Sequence, residues 1–254
     1  MRLAFLYLLF PLHLFATPQV HDRISVDGDT TVLLSYLKAG PVDTAVLYAA
    51  TRHLNGSTAC WSGYYRRWSV RNDSLFLDGY LACHASGDWF QSAGPVYGQE
   101  AGPVFAHWAS TDLYAAAGEL VTRYDVYLIY EREHRLVVED GIVRRQSIVS
   151  NARTNLVATD SLRNFVYKNL PWGSFPDTNR TAVVGFSIDS LGRPYDLLHL
   201  RSNGPQYDSL AATVVRKLPA FSVYYYHGKH LPLRWNFPVS FHYARYRKWL
   251  DQRP

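Results

Sequence analysis

The side chains best suited to chemistry are two histidines that stand three residues apart, at His227 and His230. Two imidazoles at this spacing can share a metal ion, but such a site also needs carboxylate or thiolate ligands, and none stands close in the sequence. The stretch Asp27-Gly28-Asp29 superficially resembles a calcium-binding loop, although the further ligands and the closing glutamate are absent. We therefore predict no metal site and no cofactor.

Catalytic signatures are also thin. The chain contains no Gly-x-Ser-x-Gly elbow, no phosphate-binding loop and no His-Glu-x-x-His motif. The alternative is a secreted enzyme with its site in the 24–150 region, where the Gly-rich stretch Ser86–Pro103 predicts a long loop of the kind that borders sites. The titratable residues near this loop are His84, Asp88, His107 and Asp112. Because they form no identifiable nucleophile or acid–base pair, we predict that the protein is not an enzyme.

The N-terminus predicts export. Met1-Arg2 carries a positive charge and is followed by 14 largely apolar residues that end at Ala16. A single charge, a short apolar core and a small final residue are typical of a secretory signal peptide. A membrane span needs ~20 apolar residues, and Pro11 would kink this run. Residues 1–17 are therefore interpreted as a signal peptide or, if uncleaved, as a short anchor and the only membrane contact.

Cysteine usage agrees with export. Cys60 and Cys83 are the only cysteines. In an exported chain, an even pair that closes a short loop predicts one disulfide. The chain-entropy model gives such a loop roughly 3 kcal/mol of stabilisation. Two buried free thiols are the alternative interpretation, because unpaired cysteine is often buried as a small hydrophobic residue.

Charge and composition exclude one class of partner. The 26 Lys and Arg residues against 21 Asp and Glu residues give a net charge of +5, spread along the chain without a basic block. Because a nucleic-acid-binding protein clusters such charges on one face or helix, we predict no nucleic-acid partner. The 19 Tyr and 7 Trp residues suit β structure and amphipathic surfaces.

Residues 24–150 predict a β-rich module of unknown function. Asn72-Asp73 and Asp140-Gly141 each separate two β-prone runs, as the central residues of a hairpin turn do. The run Tyr124–Tyr130 is rich in Tyr, Val, Leu and Ile and predicts a strand. Aromatic residues of this module either line a sugar or peptide groove or fill a small core. They are Trp61, Tyr64, Tyr65, Trp68, Trp89 and Trp108.

Helices are expected at only a few places in this module. Short helices are predicted over Thr30–Leu37 and Thr44–His53. The stretch Leu113–Leu120 is ambiguous, because its three consecutive alanines favour a helix that Gly118 would end. Residues 144–160 carry few large apolar side chains and are interpreted as the joint between two domains.

Residues 160–243 predict a second domain of regularly ordered elements. Helix capping, period-two alternation and 3.6-residue periodicity delimit them in turn. The predicted order is a helix over Ser161–Asn169 with Asp160 as its N-cap, a strand over Val183–Ile188, a turn over Asp189–Arg193, a strand over Tyr195–Leu200, a helix over Tyr207–Leu218 and a closing strand.

The closing strand carries most of the functional argument. From Leu231 to Tyr243 apolar and polar residues alternate over all 13 positions. Because successive side chains of a strand point to opposite faces, this period predicts one apolar face and one wet face. A polar tail is expected after Tyr243. The expected fold is α+β, with a three-stranded antiparallel sheet that carries its helices on one face.

Three segments together resemble a known family. TAVVGFSIDSLGRPYDLLHLRS, YDSLAATVVRKLPAF and LPLRWNFPVSF are similar, in order and spacing, to the C-terminal domain of TonB and its relatives. The matching features are the Asp189-x-x-Gly192 turn, Arg201-Ser202 at the end of the second strand, Arg216-Lys217 at the end of the helix and the final Phe237-Pro238-Val239-Ser240-Phe241. The resemblance covers residues 162–243.

The resemblance implies a periplasmic domain that binds outer-membrane receptors or other envelope proteins by adding a receptor segment beside its last strand. Pairing of backbone groups then supplies affinity with little side-chain specificity. We expect Arg234 and Asn236 to contribute from the wet face. The complete set of predicted binding residues is Leu233, Arg234, Trp235, Asn236, Phe237, Val239 and Phe241.

The chain departs from the family pattern before this domain, and two prolines complicate strand addition. The sequence shows no Pro-rich spacer, and a β-rich module stands in its place, so we predict binding without force transduction; a TonB-dependent energy transducer for transport is the alternative. Pro232 and Pro238 share parity, so both lack an N–H on the same edge of the strand. Strand addition would have to work without these two donors, or the prolines protect the edge from aggregation.

Overall fold

The computed structural model describes residues 19–54, 56–83, 89–175 and 179–251. Over these ranges the chain is a mixed α+β protein, as expected, with more strand than helix. It divides into two compact units, Met1–Ile148 and Val149–Pro254. The predicted signal or anchor at residues 1–17 lies outside the described ranges. In the ranges given, no helix is both long enough and apolar enough to span a membrane.

The first unit is built around one large sheet. Its described elements are β1 (Arg23–Val26), β2 (Asp29–Val32), α1 (Thr44–Thr51), β3 (Tyr64–Arg71), β4 (Ser74–Ala82), β5 (Phe90–Ser92), α2 (Ala93–Val96), β6 (Val104–Phe105), β7 (Thr111–Tyr124), β8 (Tyr127–Glu139) and β9 (Ile142–Ser150). The strands follow the order β2-β1-β3-β4-β9-β8-β7, and β5 and β6 pair with β4. β1 runs parallel to β3 and antiparallel to β2.

The two predicted hairpin turns are confirmed. Asn72 and Asp73 connect β3 to β4 with φ angles of 47° and 57°. Asp140 and Gly141 connect β8 to β9 with φ angles of 48° and 78°. Positive φ at both central residues matches the right-handed twist of the flanking strands, which explains why short polar residues and glycine stand there.

Two local predictions for this unit are wrong. The expected helix at Thr30–Leu37 is absent, because β2 extends to Val32 and Leu33 then bridges to Ala115. The expected strand at Tyr124–Tyr130 is interrupted by a turn, where Asp125 has a φ of 50°. The ambiguous stretch Leu113–Leu120 belongs to β7. Pairing along β8 outweighs helix propensity, which differs between ordinary residues by less than about 1 kcal/mol each.

Two predicted connections are also more ordered than expected. The stretch Ser86–Pro103, interpreted as a long loop, contains β5 and α2 after the undescribed residues 84–88. The predicted joint at 144–160 is strand as far as Ser150, because β9 continues into it.

Helix α1, predicted over Thr44–His53, is confirmed and is capped by Asp43, whose carboxylate accepts hydrogen bonds from the N–H groups of Ala45 and Val46.

The second unit contains the closing strand. Its described elements, after the end of β9, are α3 (Thr159–Asn169), β10 (Thr181–Ile188), β11 (Pro194–Arg201), α4 (Pro205–Arg216), β12 (Tyr225–Tyr226), β13 (Lys229–His230), β14 (Arg234–Ser240) and α5 (Tyr243–Asp251). β11, β10 and β14 form an antiparallel three-stranded sheet in that order. β12 and β13 form a separate hairpin.

The predicted order of helix, strand, strand, helix and strand is present in this unit. Apolar side chains on one face of β10, including Val184 and Phe186, are completely buried with Val215 of α4 and Phe241 after β14. Two details are wrong. The N-cap of α3 is Ala158, and Asp160 lies in the first turn. The expected polar tail after Tyr243 is instead the helix α5.

Candidate functional site

β14 forms one edge of the three-stranded sheet. The N–H of Phe241 donates to the carbonyl oxygen of Arg180 at 2.8 Å, and Ser240 lies opposite Thr181 in the same antiparallel register. Backbone groups alternate in direction along a strand. Odd-numbered residues of β14 therefore bond to β10, and the even-numbered residues turn their backbone groups to the outer edge.

Pro238 fits this alternation. It lies opposite Val183, at an even-numbered position whose nitrogen faces the outer edge. A proline there removes no hydrogen bond from the sheet. The outer edge of β14 consequently presents backbone N–H groups at Arg234, Asn236 and Ser240 and a gap at Pro238. One of the two prolines seen in the sequence thus interrupts the row of edge donors.

The side chains of the predicted site residues divide between two faces. Leu233, Trp235 and Phe237 are half-buried, and Val239 and Phe241 are fully buried. Trp235 and Phe237 pack against Phe221, with ring centroids 5.5 and 5.6 Å apart. These apolar residues fix the strand on its helices. A partner can therefore contact the backbone of β14 and the exposed side chains of Arg234 and Asn236.

The two exposed side chains differ in their surroundings. Asn236 is exposed on the face of the sheet away from the helices. Arg234 is also exposed, but its Nη2 lies 3.2 Å from Oδ2 of Asp196 in β11. An exposed ion pair of this kind contributes at most about 1 kcal/mol, so it can open when a partner approaches. Arg234 and Asn236 are therefore accessible side chains beside the edge, as the sequence predicted them to be.

A groove lies on the helix side of this edge. It has a volume of about 610 Å³ and is lined by residues of α3, α5, the start of β10 and the end of β14. Its β14 members are Phe237, Pro238 and Ser240. Sequence reasoning missed this groove because it missed α5, which forms the opposite wall. The only sequence signal was the aromatic and basic character of Tyr243–Leu250.

Aromatic contacts hold α5 in place. The ring of Tyr246 stacks on Trp172, with centroids 4.3 Å apart and planes 9° from parallel. Trp249 donates a hydrogen bond of 2.6 Å from Nε1 to Oδ1 of Asn164 in α3. Its ring also lies 5.3 Å from that of Tyr167. These contacts position one side of α5 against α3 and turn Arg245 and Lys248 to the groove.

The charged residues that line the groove are all cations. They are Arg163 from α3 and Arg245 and Lys248 from α5. Arg163 lies 3.2 Å from Asp160, and both side chains are largely exposed. Across the described ranges, Arg245 and Lys248 form no ion pair. The groove therefore combines a positive rim with the apolar surface of Val166 and its neighbours.

The first unit holds a second, more polar cleft of about 580 Å³. Asp22 lies in it and pairs with Arg66 at 2.7 Å, and it also accepts a hydrogen bond from Nε1 of Trp68. Burial lowers the pKa of His21 in the same cleft. Asp22 and Arg66 in this cleft are thus engaged with each other.

The aromatic residues of the first unit mostly fill its core. Trp68 is completely buried, Tyr64, Trp89 and Trp108 pack against the same core, and Trp61 is the exposed exception at 80%. Trp61 and Tyr64 also line a pocket of about 390 Å³ beside α1. Cys60, beside Trp61, is joined to Cys83 by a disulfide, with the two Cα atoms 6.5 Å apart.

Of the four residues considered for an enzyme site, the structure describes Asp112 and His107, and both take part in contacts within the protein. His84 and Asp88 lie outside the described residues. Asp112 accepts a hydrogen bond of 2.6 Å from Arg135, and the ring of His107 packs edge-on against Trp108. In the described part of the chain, no group of three or more His, Cys, Asp or Glu side chains is arranged to hold a metal ion.

Comparison with known proteins finds no relative. No model of a known family, no curated protein and no solved structure matches this chain. The edge of β14 and the adjoining groove are therefore interpreted from their own geometry and chemistry.

Proposed function

We propose that this chain is an exported envelope protein that binds other envelope proteins, outer-membrane receptors among them, through a TonB-type C-terminal domain. The observation that carries the proposal is the position of β14 at the edge of its sheet, with three backbone N–H groups turned outward. An extended segment of a partner adds to this edge as a further strand, and backbone hydrogen bonds supply the affinity.

The order of elements in the second unit supports a TonB-type arrangement. α3, β10, β11, α4 and β14 follow one another as the family resemblance implies, and the connection after β10 contains the expected turn. There Oδ1 of Asp189 accepts hydrogen bonds from the N–H groups of Leu191 and Arg193, at 2.9 and 2.8 Å. Gly192 takes a φ of 79°, a conformation that glycine adopts without steric cost.

Export is supported by the sequence of the N-terminus and by the cysteine pair. A disulfide between Cys60 and Cys83 persists in an oxidising compartment such as the periplasm. We expect the segment 1–17 to be removed near Ala16, and the protein to act as a released partner without transducing force by itself. N-terminal sequencing of the protein recovered from the periplasmic fraction tests this. An intact Met1 in the inner-membrane fraction would contradict it and favour the energy transducer.

The binding role is tested by photo-crosslinking in cells. A photoreactive amino acid replaces Asn236, beside the edge of β14, and in a matched control replaces Leu198 of β11, which is 45% exposed on the opposite edge strand. We expect a discrete crosslink to an envelope protein from position 236, identified by mass spectrometry, and none to that protein from position 198. Equal crosslinking from both positions, or none from 236, would contradict the proposal.

A further inference from the structure

The groove opens at the same edge that strand addition would use. Pro238 and Ser240 line it, and both turn their backbone groups outward along β14. Phe237, the next residue in the lining, faces the helices. A segment added beside β14 points alternate side chains to the two faces of the sheet. Those that point to the helix side at the Pro238–Ser240 end enter this groove.

The groove has the size and the lining of a site for one or two side chains. Its volume of about 610 Å³ lies within the usual range of ligand-binding clefts. Val166, Tyr167, Phe237 and Trp249 give it an apolar floor and wall. A large aliphatic or aromatic side chain would bury its surface there and gain affinity from the hydrophobic effect.

The charge of the groove favours an acidic side chain as the second kind of occupant. Arg163, Arg245 and Lys248 come from two different helices and converge on one cleft, and no carboxylate is among the lining residues. Residues three apart on a helix share a face, so Arg245 and Lys248 present their charges together. Arginine matches a carboxylate with two parallel hydrogen bonds. Asp160, which pairs with Arg163, is 82% exposed.

We propose that the groove between β14 and α5 recognises an acidic side chain, together with a neighbouring large apolar one, on the partner segment that adds beside β14. This inference rests on the proposed strand addition and adds the chemical class of the segment. An anionic membrane surface is the competing occupant of a basic, aromatic site. A narrow concave site beside a strand edge fits a peptide better than it fits a flat surface.

The test is a selection of short random peptides displayed on phage against the full-length mature chain. It is repeated on the double variant Arg245→Glu/Lys248→Glu and on Arg247→Glu, a matched control with an exposed charge on the same helix outside the groove lining. Circular dichroism and urea midpoints establish that all three proteins are folded. Each selected peptide is then measured with its Asp or Glu residues replaced by Asn or Gln.

We expect the native chain and Arg247→Glu to select segments rich in Asp or Glu next to Ile, Leu, Val or aromatic residues. Neutralising the acidic residue should weaken binding about five- to tenfold, as for one or two charge-assisted hydrogen bonds. The double variant should lose this preference. Selected peptides that lack acidic enrichment but bind Asn236→Pro, which removes the outward N–H, more weakly than Asn236→Ala would overturn the groove inference. They would leave strand addition intact. The absence of any selected peptide would overturn both.

Vesicles of phosphatidylethanolamine with phosphatidylglycerol distinguish the competing occupant. We expect the native chain to bind them no better than the double variant does. Vesicle binding that requires Arg245 and Lys248, without any preference among peptides for acidic residues, would show that these cations contact a membrane and would overturn the inference.

Discussion

Val183 of β10 lies opposite Pro238 of β14, at a position where the proline nitrogen faces away from the sheet. This pairing keeps the bonds between the two strands complete and places the missing donor on the outer edge. The edge of β14 is therefore interrupted but usable, with donors on both sides of the gap. A full row of donors would invite unselective pairing, which natural edge strands avoid with proline among other devices.

The outward direction of the Asn236 N–H leads to a sharp test of strand addition. Asn236→Pro removes this donor and leaves the bonds to β10 in place, whereas Asn236→Ala removes only the side chain. We expect the proline variant to bind a partner segment roughly two- to tenfold more weakly than the alanine variant, which corresponds to one net hydrogen bond. Fluorescence anisotropy with a peptide from the selection measures this. Equal affinities would show that the segment does not pair at this edge.

The disulfide should account for a measurable part of the stability of the first unit. The bond between Cys60 and Cys83 joins residues 23 apart in the sequence. We expect the double variant Cys60→Ala/Cys83→Ala to lower the free energy of unfolding by about 3 kcal/mol, because the unfolded chain gains conformational freedom. Urea denaturation followed by tryptophan fluorescence measures it. Reductant should lower the midpoint of the native protein and leave the variant unchanged; identical midpoints would contradict the prediction.

The Asp189 turn predicts a dependence of stability on pH. Hydrogen bonds from the N–H groups of Arg193 and Leu191 hold the pKa of this carboxyl below its usual value. The stabilisation is complete above the unfolded-state pKa of about 3.9 and is lost as pH falls through the lower folded-state pKa. We expect Asp189→Ala to cost about 1 kcal/mol at pH 7, and less at acidic pH.

Urea denaturation at several pH values checks this prediction. Ser190→Ala, a change at the exposed neighbour, serves as the control and should leave the midpoint unchanged. Asp189→Asn retains an acceptor oxygen without the charge, so its loss at pH 7 should be smaller than that of Asp189→Ala, and it should also shrink as the native carboxylate becomes protonated. A constant difference between Asp189→Ala and the native protein at every pH would show that the charge has no part in the turn.

The stacked pair of Trp172 and Tyr246 should control whether α5 stays on α3. Tyr246→Ala removes a stacked aromatic contact, for which we expect a loss of about 1–2 kcal/mol in the local stability of the helix. Hydrogen exchange of the α5 amides should then become faster, while β10 and β14 keep their protection. Arg247→Ala, which removes an exposed side chain of the same helix, should change neither. Unchanged exchange in Tyr246→Ala would show that other contacts hold α5.

Features that depend on consecutive residues could be predicted from the sequence. The turns at Asn72-Asp73 and Asp140-Gly141 need residues that tolerate positive φ, and the sequence supplies them. The alternation along β14 is likewise visible as a period of two, and it correctly separates the buried Val239 and Phe241 from the exposed Arg234. Such patterns record backbone conformation and the face of burial within one element.

Only the tertiary structure decided which groups meet. β7 is a strand despite its alanines because it pairs along β8, and α5 becomes a wall of the groove because Trp249 reaches Asn164, 85 residues earlier in the chain. The short helix α5 has no buried residue, so its position comes from contacts with α3 and Trp172. Isolated helices of this length are marginal in water. The position of α5 and the groove beside it therefore follow from packing between distant segments, which no local pattern encodes.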